Sequence, residues 1–400
     1  MDILEGVRVV DLTMWAFVPS AGGVLAHWGA DVVKVEHPRQ PDPMRLLGGS
    51  ADPGGASWLF KHYSRGKRAI TLDLTAPEGL EALYRLIETA DVFLTSYLAP
   101  TRKKLKIDVD DLRARNPQII YARGSGQGPL GPEADRGGFD DASWSCRGSL
   151  ADTTMKATGT DVMPGAIGHG DGMSGMTLVS GICAALARRA RTGVPTVVDA
   201  SLLGTAIWFN GPAIIESKRG GSSMFGMGPP RHERLANTNN YRTRDGRFIV
   251  LSMLGDYDTE WSDLCAHLGH PELATDPRFS TSAARATNRA AAVDLLDEIF
   301  VQRTYEEWKR ILVTTKGVWG PVQTAREIHD DPQTIANGFV RDVQDVDGPL
   351  ALPVPPILFD EEGGDPPRAP DFGEHSDEVM AELGYDAAEI ARYRSAGIIA

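Results

Sequence analysis

The sequence contains little of what several common protein classes require. Only three cysteines occur in 400 residues, far apart and without a CxxC pair, so neither a disulfide framework nor a thiolate metal site is expected. With 54 acidic against 41 basic residues, the net charge is -13, which disfavours nucleic acid or an anionic membrane as the main partner. We therefore expect a reducing, cytoplasmic location and no nucleic-acid partner.

Long hydrophobic runs and targeting signals are also missing. The longest apolar stretch, residues 173–187, is interrupted by Ser and Gly, and it falls short of the ~20 residues that a membrane span needs. The opening residues, MDILEGVRVVDLT, contain no basic segment followed by an apolar one, so no secretory leader is expected. The sequence thus predicts a protein without a membrane partner.

A dinucleotide-binding fingerprint is absent where it would be expected. The first predicted strand is followed by MWAFVPSAGG and not by GxGxxG, so a close approach of backbone to pyrophosphate is not encoded there. The GSGQG motif at 124–128 follows a later strand and either meets a ligand or forms an ordinary tight turn. A dehydrogenase is therefore disfavoured.

Short β-branched runs alternate with helical patterns over the first 130 residues, which is typical of a parallel sheet covered by helices. The predicted fold class is α/β, with a Rossmann-like large domain and a smaller α+β domain. The predicted strands are 7–13, 31–36, 68–74, 91–97, 118–124 and a last one near 196–200.

A change in composition marks the domain boundary. Residues 220–230, GGSSMFGMGPP, contain six Gly or Pro in eleven positions and few side chains that could fill a core. We expect a large domain at 1–215 that is completed by about 326–400, a linker at 216–234 and a small domain at 235–325. Within the small domain, the patterns predict a hairpin around Asp245-Gly246 and helices at 257–268, 285–300 and 305–312.

The segment PGAIGHGDGMSGM, residues 164–176, places one acid, Asp171, among five glycines before a long apolar helical pattern. Glycine permits close approach of a ligand, and a helix N-terminus offers unpaired N–H groups and partial positive charge. A carboxylate in this position is expected to stay ionised, and an open carboxylate is able to attack a thioester to form a mixed anhydride. The alternative is that Asp171 is a helix N-cap, the commonest role of Asp there.

Nine segments in order give the chain a resemblance to a known family. They are LEGVRVVDLT, GVLAHWGADVVKVEHP, KRAITLDLTAPEG, DVFLTSY, RNPQIIYARGSGQGPLGP, RGGFDD, GDGMSG, ALARRARTG with VVDASL, and DFGEHSDEVMAELGYDAAEI. The chain resembles the class III coenzyme A transferases, the family that also contains the α-methylacyl-CoA racemases. GDGMSG aligns with the family segment that carries the nucleophilic aspartate.

The resemblance implies a covalent reaction in which coenzyme A passes from an acyl-CoA to a free carboxylic acid. Asp171 is then the nucleophile, Asp140 assists it, and Gly172 and Gly175 supply open backbone. Neither a metal nor a redox cofactor is required, no cofactor is expected to be tightly bound, and coenzyme A is a substrate. The resemblance also implies a homodimer of two interlocked chains.

Coenzyme A is a long polyanion with an adenine, so its site should combine cations with flat or apolar surfaces. The family positions that correspond to this site carry six residues here, each of which has a solvated surface position as its alternative. They are His37, Arg39, Lys67, Arg68, Tyr97 and Lys104.

Two departures bear on the reaction. The loop after the first strand reads Met14 to Phe17 and lacks the family's polar clamp, which disfavours formyl or oxalyl groups and favours a larger, apolar acyl group. Trp15 and Phe17 have core positions as their alternative. The histidine that racemases pair with the aspartate falls at Phe139, which cannot transfer a proton. His169 is either an exposed loop residue or a group that transfers a proton.

The sequence therefore favours a CoA transferase over two alternative functions. The alternatives are an α-methylacyl-CoA racemase and a non-catalytic acyl-CoA-binding paralogue, and the retained Asp171 argues against the paralogue.

Overall fold

A computed structural model of the chain describes residues 1–47, 56–161, 168–219, 230–345 and 348–400. The contacts divide the chain into two compact units. The first comprises Met1–Met155, Thr160–Ile214 and Pro332–Ala400, and the second comprises Lys156–Gly159 and Ile215–Asp331. Residues 220–229 of the linker expected at 216–234 lie outside the described residues.

A parallel sheet forms the centre of the first unit. Its strands are β1 (Arg8–Leu12), β2 (Asp31–Glu36), β3 (Arg68–Thr71), β4 (Val92–Thr95), β5 (Ile120–Ser125) and β6 (Val197–Ser201). The strand order is β3-β2-β1-β4-β5-β6, and all five pairings are parallel. This is the doubly wound order of a Rossmann-like sheet, so the predicted fold class is confirmed.

The helices that lie between and after these strands in the chain include those that cover both faces of the sheet. They are α1 (Phe17–His27), α2 (Trp58–Tyr63), α3 (Pro77–Glu88), α4 (Ala99–Leu105), α5 (Val109–Arg115), α6 (Leu150–Thr158), α7 (His169–Thr192), α8 (Leu202–Phe209) and α9 (Gly211–Ser217). A π-helical turn, Asp140–Cys146, precedes α6. Buried residues of α1 and α7 pack on one face of the sheet, and those of α3 and α5 pack on the other.

The order of the strands reverses between β1 and β4, which creates a crevice at the carboxyl edge of the sheet. The loops that follow these two strands meet there, because the backbone N–H of Met14 donates a hydrogen bond to Ser96 Oγ at 3.0 Å. The cavity described below lies at this edge.

The second unit is a smaller α+β assembly. An antiparallel sheet contains β7 (Asn240–Arg242), β8 (Phe248–Leu251) and β9 (Trp319–Pro321), and its helices are α10 (Tyr257–Leu268), α11 (Ser282–Thr287), α12 (Arg289–Phe300) and α13 (Tyr305–Leu312). The helix predicted at 285–300 is two helices. Asn288 interrupts it, because its side-chain amide donates to the backbone oxygens of Ala284 and Arg278 and competes with helical pairing.

The remaining elements return to the first unit. They are α14 (Pro332–Asn337), the hairpin strands β10 (Val340–Asp345) and β11 (Gly348–Pro353), α15 (Ser376–Glu382) and α16 (Ala387–Ser395). Backbone hydrogen bonds from His375 to Ala69 and from Asp73 to Ile398 tie this segment to β3. Among the described residues, no helix combines the length and apolar character that crossing a membrane requires.

Close packing of α7 on α1 depends on Gly175. A Cβ at this position would overlap Ser20 Oγ, which itself donates a hydrogen bond to the Phe17 carbonyl at 2.7 Å. The Gly175→Ala variant should therefore lose about 1–3 kcal/mol of unfolding free energy, as is usual for overpacked sites. Urea denaturation measures this loss.

Gly172→Ala provides the matched control on the same helix. The nearest atom to a Cβ at Gly172 is the Tyr63 hydroxyl at 3.9 Å, so this variant should be neutral or gain up to about 1 kcal/mol from helix propensity. Equal stability of the two variants would contradict the packing role of Gly175.

Candidate active site

A cavity of about 410 Å³ opens at the carboxyl edge of the six-stranded sheet. Its walls come from the loops after β1 and β4, from the glycine-rich end of β5 and from the first turn of α7. Residues 124–126 of the GSGQG motif form part of this wall. Ligands of open α/β sheets bind in crevices of this kind, so the cavity is the candidate active site.

Asp171 lines the cavity as the third residue of α7. The helix begins after Gly168, which has a left-handed φ of 85° and occupies the N-cap position itself. Asp171 is therefore not the N-cap, and the capping alternative does not describe this structure. Residues 164–167 of the glycine-rich segment lie outside the described residues.

The start of α7 is held by Asp140. The buried Asp140 carboxylate accepts hydrogen bonds from the backbone N–H groups of Gly168 and Gly170, each at 3.0 Å. A Cβ at Gly170 would overlap both this carboxylate and the Trp144 ring, so only glycine permits the approach. Asp140 thus fixes the first turn of the helix that carries Asp171.

The protonation of Asp171 differs from the sequence-based expectation. Burial, together with the nearby Asp140 and Asp141 carboxylates, raises the pKa of Asp171 to about 7. Burial also raises the pKa of Asp140, against the effect of its two backbone hydrogen bonds. The expectation of a firmly ionised Asp171 was wrong, because burial and neighbouring carboxylates outweigh the positive end of the helix.

Tyr63 is a cavity residue that the sequence reading missed. Its hydroxyl lies 3.4 Å from the Gly168 carbonyl oxygen, beside the first turn of α7. Burial, followed by the charges of Asp171 and Asp140, raises the pKa of Tyr63 to about 12, so the phenol remains an O–H donor at neutral pH. No spacing or motif signals this residue, because α2 approaches α7 only through the tertiary fold.

Four of the six residues expected around coenzyme A are accessible. Tyr97 lines the cavity, and exposed Lys104 lies one turn beyond Thr101, which also lines it. His37 and Arg39 follow β2 at the carboxyl edge of the sheet and lie 3.7 and 3.3 Å from the Asp73 carboxylate. The sequence placed these residues near the phosphates, and their accessibility allows that role.

Lys67 and Arg68 are engaged in structural ion pairs, which corrects the prediction that they contact coenzyme A. The side chain of Lys67 is fully buried, with its Nζ 2.7 Å from Asp11 Oδ2, and burial lowers its pKa to about 8. The Arg68 guanidinium binds Asp31 at 2.8 Å and Glu382 at 2.6 Å, toward the amino edge of the sheet. Neither cation is left for a phosphate.

The two glycines expected to offer open backbone differ in their surroundings. Gly172 has free space around its Cα, although its N–H group donates to the Gly168 carbonyl at 2.9 Å. Gly175 is buried beneath α1, so the expectation that it supplies open backbone was wrong.

Aromatic side chains form the wall nearest Asp140. Trp15 and Phe139 meet edge to face with their ring centroids 5.1 Å apart, and both line the cavity. Phe17 also lines it while packing in the core on α1. The position where a racemase requires histidine is thus occupied by a ring that is 58% exposed. His169 is exposed at the first position of α7.

Three side chains in the second unit lie close enough together to share a metal ion: His232, Asp294 and Asp297. The Asp297 carboxylate is already paired with the Arg231 guanidinium, at 2.6 Å. This pairing neutralises one of the three potential ligands, and His232 and Asp294 are exposed, so the cluster does not indicate a metal site.

The sequence profile described as CoA-transferase family III matches residues 4–376, and the chain belongs to this family. It is an enzyme of the CoA-transferase class.

Relatives of known name support this membership. The chain is 28% identical over 402 residues to a (R)-2-hydroxy-4-methylpentanoate CoA-transferase of Clostridioides difficile, covering 99% of each chain. It is 32% identical over 389 residues to a succinyl-CoA–D-citramalate CoA-transferase of Chloroflexus aurantiacus, covering 95% of this chain and 94% of that one. A crystal structure of a CaiB/BaiF family protein from Brucella suis matches with a TM-score of 0.81 and 31% identity, covering 95% of this chain and 99% of that one.

The raised pKa of Asp171 predicts a pH-dependent stability difference in the Asp171→Asn variant. The unfolded carboxyl ionises near its ordinary value of 3.8, whereas the folded one holds its proton until about pH 7. Folding therefore takes up a proton between these values, and wild-type stability falls as the pH rises through this window. At pH 8 the Asn variant should be more stable by roughly 2–4 kcal/mol.

Urea denaturation at pH 4.5 and pH 8 tests this expectation. The difference between the Asn variant and the wild type should be small at the lower pH and largest at the higher one. Asp135→Asn, which alters an exposed carboxylate outside the cavity, should show no such change. An Asn variant that is less stable than wild type at pH 8 would contradict the burial of an unfavourable charge at Asp171.

Proposed function

We propose that this enzyme moves coenzyme A from an acyl-CoA to a free carboxylic acid through covalent intermediates on Asp171. The observation that carries the proposal is the position of Asp171 in the cavity, on a helix start fixed by Asp140. Two other carboxylates line the cavity among the described residues. Asp140 is buried and engaged with backbone, and the exposed Asp141 lies in the π-helical turn and not at the helix start.

The proposed chemistry uses only carboxylates and the thiol. The Asp171 carboxylate attacks the thioester carbonyl, the C–S bond breaks, and a mixed anhydride and the coenzyme A thiolate result. The thiolate then attacks the aspartyl carbonyl, which releases the donor acid and leaves an aspartyl-CoA thioester. An acceptor carboxylate reverses these two steps by way of a second anhydride, so that a new acyl-CoA leaves and Asp171 is restored.

Hydrogen-bond donors near Asp171 are suited to the oxyanions of this scheme. The Tyr63 phenol keeps its proton at neutral pH because its pKa is raised. In the first turn of α7, the N–H groups of His169 and Asp171 have no intrahelical acceptor by their position. We assign to these groups the stabilisation of the tetrahedral intermediates, in place of the Gly172 and Gly175 backbone.

The raised pKa of Asp171 also fits the proposed role. A carboxylate that lacks strong hydrogen-bond partners in a buried site is a better nucleophile than a solvated one, although part of the population is protonated near pH 7. The transfer reaction should therefore depend on an ionisation close to neutrality.

A homodimer of interlocked chains remains part of the proposal. It is supported by an exposed apolar cluster on α8, where Ile207, Trp208 and Phe209 expose 47%, 82% and 54% of their surfaces. Patches of this kind mark protein–protein contacts. The cytoplasmic location stays a prediction from the low cysteine content.

The racemase alternative is less well supported by the cavity. Epimerisation needs an acid and a base on opposite faces of the α-carbon, and Phe139 offers neither. Retention of Asp171 in a formed cavity disfavours the non-catalytic paralogue in the same way.

Asp171→Asn should reduce coenzyme A transfer by several orders of magnitude, because an amide cannot form the anhydride and no neighbouring group replaces a covalent path. Acyl-CoA exchange between acids, followed by mass spectrometry, measures the loss. Hydroxylamine added during turnover should convert Asp171 of the wild type to a hydroxamate on the peptide that contains GHGDGMSGM.

Three results would overturn the proposal. One is an Asn variant that still moves coenzyme A between acids. Another is a wild-type enzyme that exchanges the α-proton of 2-methylacyl-CoA with solvent and transfers nothing, which would establish the racemase. The third is binding of acyl-CoA without any turnover, which would establish the paralogue.

Lys104 should contribute to coenzyme A binding more than to chemistry. A charge-assisted contact to phosphate contributes about 1.5–3 kcal/mol, so Lys104→Ala should raise the KM for acyl-CoA roughly 10-fold or more with little change in kcat. Lys103→Ala removes an exposed charge from the adjacent position of α4 and is the control. Equal KM values for the two variants would exclude the assignment of Lys104.

A further inference from the structure

The charged side chains that line the cavity are all acidic among the described residues. Three carboxylates line it, those of Asp140, Asp141 and Asp171, and none of the described lining residues is Lys, Arg or His. The segments outside the described residues, 48–55, 162–167, 220–229 and 346–347, contain no basic residue in the sequence. The acyl end of a substrate therefore meets no cation from these parts of the chain.

Most of the remaining wall is apolar. The side chains that define it are Met14, Trp15, Val18, Leu59, Leu98 and Phe139. A ligand group that enters this space loses water and gains dispersion contacts, which is favourable for hydrocarbon and unfavourable for a charge.

Trp15 and Phe139 come from distant segments of the chain and meet in this wall. Trp15 follows β1, whereas Phe139 immediately precedes the π-helical turn that begins with Asp140. Their rings are nearly perpendicular, at 82°, the geometry in which aromatic edges and faces attract each other. The pair therefore forms a single aromatic surface next to the carboxylates.

The position of Trp15 is fixed by an unusual local structure. Its φ is 71°, in the left-handed region that large side chains rarely adopt, so the conformation requires support from its surroundings. Asp42 provides this support, because its Oδ1 accepts a hydrogen bond from the Trp15 N–H group at 3.0 Å.

Asp42 is itself anchored in the core. Its Oδ2 lies 2.9 Å from the buried Lys34 Nζ, which also donates to the Thr13 carbonyl at 3.0 Å. A buried ion pair thus holds the loop on both sides of Met14 and presents the indole to the cavity. Backbone strain retained in this way is typical of functional positions.

We propose that the Trp15–Phe139 pair is the acyl-selecting surface of this enzyme and that it selects apolar, aromatic or branched monocarboxylic acids over dicarboxylic acids. This inference rests on the proposed function, because it concerns the acyl group that Asp171 attacks. A second carboxylate on the substrate would face three acidic side chains and an aromatic wall, and no Lys, Arg or His is among the described residues that line the cavity.

Hexanoate and adipate provide a matched pair of substrates. Both have six carbons, and they differ in a terminal methyl against a terminal carboxylate. Exchange between hexanoyl-CoA and 13C-hexanoate should exceed exchange between adipyl-CoA and 13C-adipate by at least about 100-fold in kcat/KM, since like-charge contacts cost several kcal/mol. The 3-phenylpropanoyl pair should also exchange efficiently.

Variants of the wall test which residues are responsible. Trp15→Gly relieves the left-handed φ without introducing strain, and Phe139→Ala alters an exposed side chain. Each should lower kcat/KM for 3-phenylpropanoate by roughly 10- to 200-fold relative to acetate, which is too short to reach the wall. Leu130→Ala, which removes an 87% exposed side chain outside the cavity, should leave the ratio unchanged.

Phe139→Arg tests the same surface by a gain of function. A cation at this position should raise adipate exchange relative to hexanoate exchange by at least about 10-fold.

The outcomes separate the two proposals. Adipate exchange equal to or faster than hexanoate exchange would overturn the inference, and a hydroxamate on Asp171 in that experiment would leave the transferase intact. Unchanged ratios in both wall variants would also overturn the inference. Absence of exchange with every acid, together with absence of the hydroxamate, would overturn the proposed function and the inference with it.

Discussion

The candidate site depends on one carboxylate that binds backbone. Asp140 accepts the N–H groups of Gly168 and Gly170 and so joins the segment after β5 to the start of α7. This contact supports the start of the helix that carries Asp171, because the left-handed glycine at the N-cap has no side chain that could cap it. The same contact has an electrostatic cost, since it places a second carboxylate beside the proposed nucleophile. Burial raises the pKa of Asp171, and the neighbouring charges of Asp140 and Asp141 raise it further.

Two buried ion pairs support the loop next to the candidate site. The pairs Lys34–Asp42 and Lys67–Asp11 lie in the core under the loop that follows β1. Their side chains have almost no exposed surface, so they interact with the loop and with each other and not with solvent. Buried pairs of this kind contribute little net stability, because desolvation offsets much of their attraction. Their role here is structural, because Lys34 donates to the Thr13 carbonyl and Asp42 accepts the Trp15 N–H, which ties the loop to the core.

The sequence predicted the strands of the sheet, their alternation with helices and the position of Asp171 before a long helix, because β-branched runs, helical periodicity and the glycine-rich segment are local signals. The charge state of Asp171 could not be predicted, since it depends on Asp140, which lies 31 positions earlier in the chain. The burial of Lys67 could not be predicted either, because the sequence around a basic residue before a strand does not distinguish a phosphate partner from Asp11. Tyr63 and the left-handed Trp15 carried no local pattern at all. What the sequence did not reveal are contacts between distant segments, and these set the chemistry of the site.

The left-handed backbone at Trp15 has a consequence for how such an enzyme could diversify. At most positions a change from tryptophan to glycine destabilises the fold in two ways. It removes packing contacts, and it increases the backbone entropy that folding must overcome. Here the glycine would relax a conformation that tryptophan holds at a cost, while Asp42 would still anchor the loop through the main-chain N–H. The relief of this backbone strain would offset part of the lost packing, and the cavity would widen by the volume of an indole. A single substitution would therefore alter the proposed acyl-selecting surface and leave the proposed nucleophile and its support unchanged.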